Sequence, residues 1–339
     1  MEVDKMVGFG SILRDYLEYN KISQSDFADR LGISQKHMNE IIQGNVGISK
    51  ELIIAISNLT KIDMNFIVFM ENKREMELYL DEHFSSQKEI REYLNSFFIK
   101  ELEKNHWIEL KDKESNVQTA LDLLNFLNIK DFSLLDEYMD KKVLYKKQDK
   151  GNQRKIYLWM RHCDSYVAKA KVEEYDSSKL DNLLLELKKE QQKPFQKESL
   201  IKIPGKYGII LIIEEALPGT KVRGAMSVKG NHPCIYMTTY LKNKSSFYYA
   251  LYRELKHVKT DYNKLKNKIM IDDDVEEQAD SYALEQMIPS KIYQEIMSNY
   301  KNRSQICKEN HIPLDFLYSR LAYEKKVSYA VYNKYKERI

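Results

Sequence analysis

Cysteine, proline and glycine are all scarce in this chain, and each scarcity removes a class of protein. Its three cysteines, Cys163, Cys234 and Cys307, are scattered and form no CxxC pair. That argues against a disulfide-framed secreted scaffold and against a cysteine-rich zinc module, and it points to reduced cytosolic thiols. Six prolines and 11 glycines in 339 residues are too few for a turn-rich β protein, while plentiful Lys, Glu, Leu and Ile favour helices. No apolar run is long enough to span a bilayer, and the opening MEVDKMVGF lacks signal-peptide character. The expectation is a soluble, cytoplasmic protein with no membrane partner. An excess of one charge is also missing: 54 basic residues face 51 acidic ones, a net +3, so overall charge does not announce a nucleic-acid binder. The length and a 43% hydrophobic content allow two or three domains with ordinary cores.

What is present begins with ISQSDFADRLGISQKHMNEIIQG. Apolar residues recur at Ile22, Phe27, Ala28, Leu31, Ile33, Met38, Ile41 and Ile42. Ser23 and Ser34 are natural helix N-caps, and Gly32 suits a tight turn between two short helices. This is the pattern of a helix-turn-helix. The start of its second helix would reach base edges, with the first helix's N-terminus against phosphate. The candidate DNA-binding residues are Gln24, Gln35, Lys36, Asn39 and Gln43. Gln and Asn suit adenine and Lys suits guanine in the major groove of double-stranded DNA. The segment resembles phage-repressor-type (XRE) domains, and GNVGISKELIIAISNLTKIDMNFIVFMEN looks more narrowly like their HigA antitoxin branch. Residues 1–70 carry seven basic and nine acidic side chains, so affinity for phosphate must lean on dimerisation.

Charged amphipathic helices follow from Glu71, including QTALDLLNFL. A basic run, 141–155, has seven cations against Asp149 alone; it reads as a solvated linker with an exposed bend at Gly151-Asn152. After Pro204-Gly205 the texture changes. Tyr207–Ile213 reads as a buried strand, Leu217-Pro218-Gly219 as a turn, and Val222–Val228 and Cys234–Thr239 as further strands.

A helix over about Ser245–Thr260 then carries YRELKHV. HExxH holds zinc because two His one turn apart share a helix face, with the Glu between them beside the bound water. Here Arg253 occupies the first ligand position, leaving Glu254 as the general base and His257 as the second ligand. Glu276, on the next helix, is placed as a third ligand, with Ala279 and Ala283 small enough for close helix contact. LPGTKVRGAMSV, NHPCIYMTT, FYYALYRELKHV and EEQADSYALEQMIP together resemble the ImmA/IrrE metallopeptidase domains. That resemblance spans about 155–330 and implies that Glu254 matches the catalytic Glu, and that His257 and Glu276 match metal ligands. Guanidinium has no lone pair to give zinc, so Glu254, His257 and Glu276 are expected to be vestigial and no cofactor is expected. Arg253 would replace the metal's charge and pair with Glu276 or Glu254.

The expected fold class is multidomain and mainly α with an α+β C-terminal part. It comprises a helix-turn-helix bundle (1–70), a helical middle region (71–195) and a zincin-like domain with a helical tail (196–339). The expected function is a homodimeric DNA-binding regulator whose peptidase-like domain acts as a sensor, dimerisation or partner-binding module. Two alternatives stay open: an active zinc peptidase that cleaves a partner regulator, and an antitoxin that binds its toxin directly.

Overall fold

The computed structural model describes residues 8–144, 150–266, 269–271 and 277–339. It is mainly helical, with one small mixed sheet. Among the described residues no helix is long and apolar enough to cross a membrane. The chain divides into two compact units, Met1–Asn128 and Ile129–Ile339.

The first unit is all helix: α1 (Phe9–Tyr19), α2 (Gln24–Leu31), α3 (Gln35–Ile42), α4 (Lys50–Thr60), α5 (Met64–His83), α6 (Gln87–Asn95), α7 (Ile99–Lys104) and α8 (Asn116–Leu127). Local chemistry sets its early boundaries. The side chains of Ser23, Ser34, Ser49 and Asp63 each accept backbone N–H groups in the first turn of α2, α3, α4 and α5. Gly32 ends α2 in the left-handed region at φ 68°, where a Cβ would be strained. Phe9, Leu13, Phe27, Met38, Ile41, Ile56 and Ile67 fill one core. At Gly10, α1 comes so close to α3 that an added Cβ would lie 2.2 Å from the Ile41 carbonyl oxygen.

Residue 70, where a domain boundary was expected, lies inside α5. That helix buries Ile67 and Met70 in the core already described and goes on to pack against α8. Glu71 and Arg74 are buried beside it, 3.1 Å apart, and the Glu71 carboxylate also accepts the Ile48 N–H. The middle region anticipated over 71–195 is therefore shared between the two units.

The second unit opens with α9 (Ser133–Lys142), β1 (Val143–Leu144), α10 (Lys150–Val167), α11 (Leu180–Glu190) and α12 (Lys197–Gly205). There follow β2 (Ile210–Ile213), β3 (Gly224–Lys229), β4 (His232–Met237), α13 (Lys244–Asp261), β5 (Ile269–Ile271) and α14 (Glu277–Met287). It closes with α15 (Ser290–Ser298), α16 (Arg303–Glu309), α17 (Leu314–Tyr323) and α18 (Tyr329–Tyr332). The strand order is β1-β5-β3-β4-β2; β3 runs antiparallel to both neighbours and the outer pairs are parallel. Gly230, at φ 59°, makes the two-residue turn of the β3–β4 hairpin, a position that favours glycine.

Two local expectations fail for physical reasons. Gly151 and Asn152 form the first turn of α10 rather than a bend. Helix propensity there is overruled by the apolar face that follows, where Ile156, Trp159, Met160 and Cys163 are buried. The strand expected from Tyr207 starts only at Ile210, because Gly208 turns at φ 74° and the Ile209 N–H returns to the Pro204 carbonyl. Residues 145–149, within the basic run, lie outside the described residues.

Helix α13 is the axis of the unit, packing against β3, β4, α14 and α17. A helix covered on so many sides must bury polar positions as well as apolar ones. Its N-terminus is fixed by Asn243, which accepts the Ser246 N–H, and by Asp315 of α17, which accepts the Ser245 N–H at 2.9 Å. The sheet is tied to α10 through Asp164, whose carboxylate accepts bonds from Tyr236, Lys229 and Arg161.

Candidate functional site

Two surfaces hold the residues singled out by sequence, one in each unit. On α3, Gln35, Lys36 and Asn39 are exposed and share a face, and Gln43 follows as the exposed C-cap residue. Lys36 reaches Glu40 only at 4.0 Å, and the Gln43 side-chain oxygen accepts a bond from Asn45 at 3.0 Å. Gln24 opens α2 and is half-buried. The buried side of α3 carries Met38, Ile41 and Ile42. The helix thus presents amides and an ammonium to solvent from a rigid base.

The other surface is the inverse. Arg253, Glu254 and His257 on α13 are 1%, 0% and 4% exposed. Gly224, at the start of β3, makes room for the Glu254 carboxyl; a Cβ there would lie 2.6 Å from Glu254 Oε1. Arg253 does join α13 to α14: among the described residues it pairs with Asp280, at 3.1 Å from Nη1. Glu276, the expected third ligand, lies outside the described residues. Ala279 and Ala283 are buried where α14 meets α13, as their size implied. Tyr249 stands one turn before Arg253; burial, and then the adjacent Asp280 carboxylate, push its hydroxyl well above the usual tyrosine range.

His257 and Asp261 are 3.2 Å apart through Nδ1. Burial raises the Asp261 carboxyl, but hydrogen bonds from Thr260, His257 and Lys264 outweigh it and hold Asp261 below its ordinary value. Arg253 and His257 also open in different directions. Arg253 lines a cavity of about 580 Å³ with residues of α14, α17 and α18, whereas His257 and Lys256 line a separate cleft of about 440 Å³.

The described part of this donor set, which does not include Glu276, does not by itself make up a zinc centre. Such a centre needs three protein ligands, and the first position is held by a guanidinium already paired to a carboxylate. Among the described residues no three His, Cys, Asp or Glu side chains gather as a metal-holding group. His232 and Cys234, further side chains of metal-binding type, sit at the start of β4. His232 Nδ1 is 2.9 Å from the Gly208 carbonyl oxygen, and burial pushes the Cys234 thiol up to about 12. Cys163 is likewise buried, its thiol raised well above the usual range, which leaves it unfit as a nucleophile.

Sequence reasoning missed Asp280 and the three further cations around the Arg253 cavity, Arg223, Arg320 and Lys336. Asp280 stands among acidic neighbours with nothing to distinguish it, and the cations come from separate elements. No family model, no curated protein and no solved structure matches the chain.

Proposed function

We propose that the protein is a DNA-binding transcriptional regulator of the phage-repressor or antitoxin kind, acting as a homodimer on a palindromic operator. Its C-terminal unit is a zincin-like, ImmA/IrrE-type module that has given up peptide hydrolysis and serves to sense or to bind a partner. The observation that carries the first half is the exposed Gln35, Lys36 and Asn39 face on α3, an eight-residue helix capped by Ser34 and packed through Met38, Ile41 and Ile42. Those side chains are the right chemistry for purine edges, and they stand at the start of the second helix of a helix-turn-helix. The second half is supported by the Arg253–Asp280 pair standing where the first metal ligand of the resembled motif would stand.

The test is selection of binding sites from a random duplex library, followed by fluorescence anisotropy at two salt concentrations. The expected result is a palindromic consensus bound by two chains, with affinity falling steeply as salt rises. Gln35→Ala and Asn39→Ala should each weaken it about tenfold or more. Failure to enrich any site, or variants that bind as the parent does, would contradict the proposal.

A further inference from the structure

Helix α5 opens with MNFIVFM, residues 64–70, a stretch without a single charge. Ile67 and Met70 go into the core of the helix-turn-helix bundle, and the Glu71–Arg74 pair continues that buried side. A helix with one buried stripe ordinarily turns charged residues towards water on the other side. Here Met64, Phe66, Val68 and Phe69 stand in water instead, 37–44% exposed. Met64 and Val68 are neighbours at helical spacing, as are Phe66 and Phe69. The four therefore make one apolar patch on the first turns of α5, the kind of surface that marks an interaction site.

The polar border of the patch says what fits it. Asn65 and Asn72 share the exposed stripe of Val68, one on either side of it. Lys61 and Asp63 stand at the N-terminal end of the patch, Lys73 and Glu75 at its C-terminal end, and among the described residues none of the four is in an ion pair. Asp63 caps α5, and the Lys73 ammonium lies 4.9 Å from the centre of the Phe69 ring. A second copy turned by half a revolution, about an axis between Val68 and Phe69, lays its α5 antiparallel to the first. Phe69 then meets Val68 and Asn65 meets Asn72, while Lys61 and Asp63 of one copy meet Glu75 and Lys73 of the other. Opposite charges face each other at both ends, and the two helix dipoles are opposed. A two-fold interface demands this self-complementarity, whereas an unrelated partner does not. We propose that this face of α5 is the surface through which two copies of the chain pair.

This inference rests on the reading of the protein as a homodimeric regulator and names the surface that reading leaves open; the two can fail separately. The experiment is sedimentation equilibrium of the full chain across micromolar concentrations. The parent should be a dimer, and Phe69→Glu should weaken it by about tenfold or more, with helical content unchanged by circular dichroism. Glu75→Lys should weaken the dimer severalfold, and adding Lys61→Glu should restore it, a rescue that a merely damaged helix would not show. Val68→Cys, next to its own counterpart across the axis, should cross-link into a covalent dimer on mild oxidation, since Cys163, Cys234 and Cys307 are all buried. A monomeric parent, a dimer indifferent to Phe69→Glu, absence of the Lys61→Glu rescue, or no cross-link through Val68→Cys would overturn the proposal. A dimer broken by Phe69→Glu in a protein that enriches no DNA site would uphold this interface and sink only the regulator reading.

Discussion

Helices α3 and α13 both carry the polar residues that draw attention in the sequence, and they dispose of them in opposite ways. On α3 the apolar residues go inward and Gln35, Lys36 and Asn39 stay in water. On α13 the charged residues themselves go inward, because sheet and helices close over the helix from several directions. Polar groups left in water are free to meet a ligand and add little to stability. Charges taken out of water must be matched inside the protein, so they hold geometry first.

The comparison can be broken most forcefully at Asp280. Asp280→Ala removes a carboxylate from the buried Arg253 guanidinium and should lower unfolding stability by about 3 kcal/mol, read from urea denaturation. Replacing both residues with apolar side chains of similar volume should recover most of that loss. An Asp280→Ala protein as stable as the parent would mean that the pair does no structural work.

Asp315, a buried acid, gives a pH signature. Burial lifts the Asp315 carboxyl to about 6, even though the Ser245 N–H and neighbouring groups favour its ionised form. The folded protein therefore holds this proton more tightly than the unfolded chain does. The contribution is complete below about pH 4 and is lost as pH rises through about 6, amounting to about 2–3 kcal/mol. Other carboxyls titrate in the same range, so the measurement is the difference between parent and Asp315→Asn across pH 4 to 7. That difference should shift in favour of the Asn variant as pH rises.

Smaller effects belong to α3. Ser34→Ala removes the bond accepted from the His37 N–H and should cost about 1 kcal/mol. Gln35→Ala and Asn39→Ala should leave stability within about 0.5 kcal/mol of the parent, by the same urea assay, while DNA affinity falls. If those substitutions unfolded the protein, the contrast between the two helices would collapse.

How much could be read in advance follows the same division. Ser23, Ser34 and Gly32 were legible because a cap or a left-handed turn is decided within three or four residues. The exposed face of α3 was legible because its buried partners recur at helical spacing. Glu254 was not: its burial depends on β3 and on the absence of a side chain at Gly224, thirty residues earlier. Nor was the Arg253–Asp280 pair, whose members are far apart in sequence and whose neighbourhood offered Glu276 and Glu254 as equally good partners. Gly151-Asn152 misled because a local bend signal lost to the apolar face that begins at Ile156.

The account stands or falls on whether Arg253 and Asp280 occupy the place of a metal ligand. Elemental analysis of the purified full chain, saturated with zinc and then exchanged into metal-free buffer, addresses this directly. The account predicts well under one zinc per chain, with His257→Ala making no difference. Near-stoichiometric zinc, lost in His257→Ala, would contradict it.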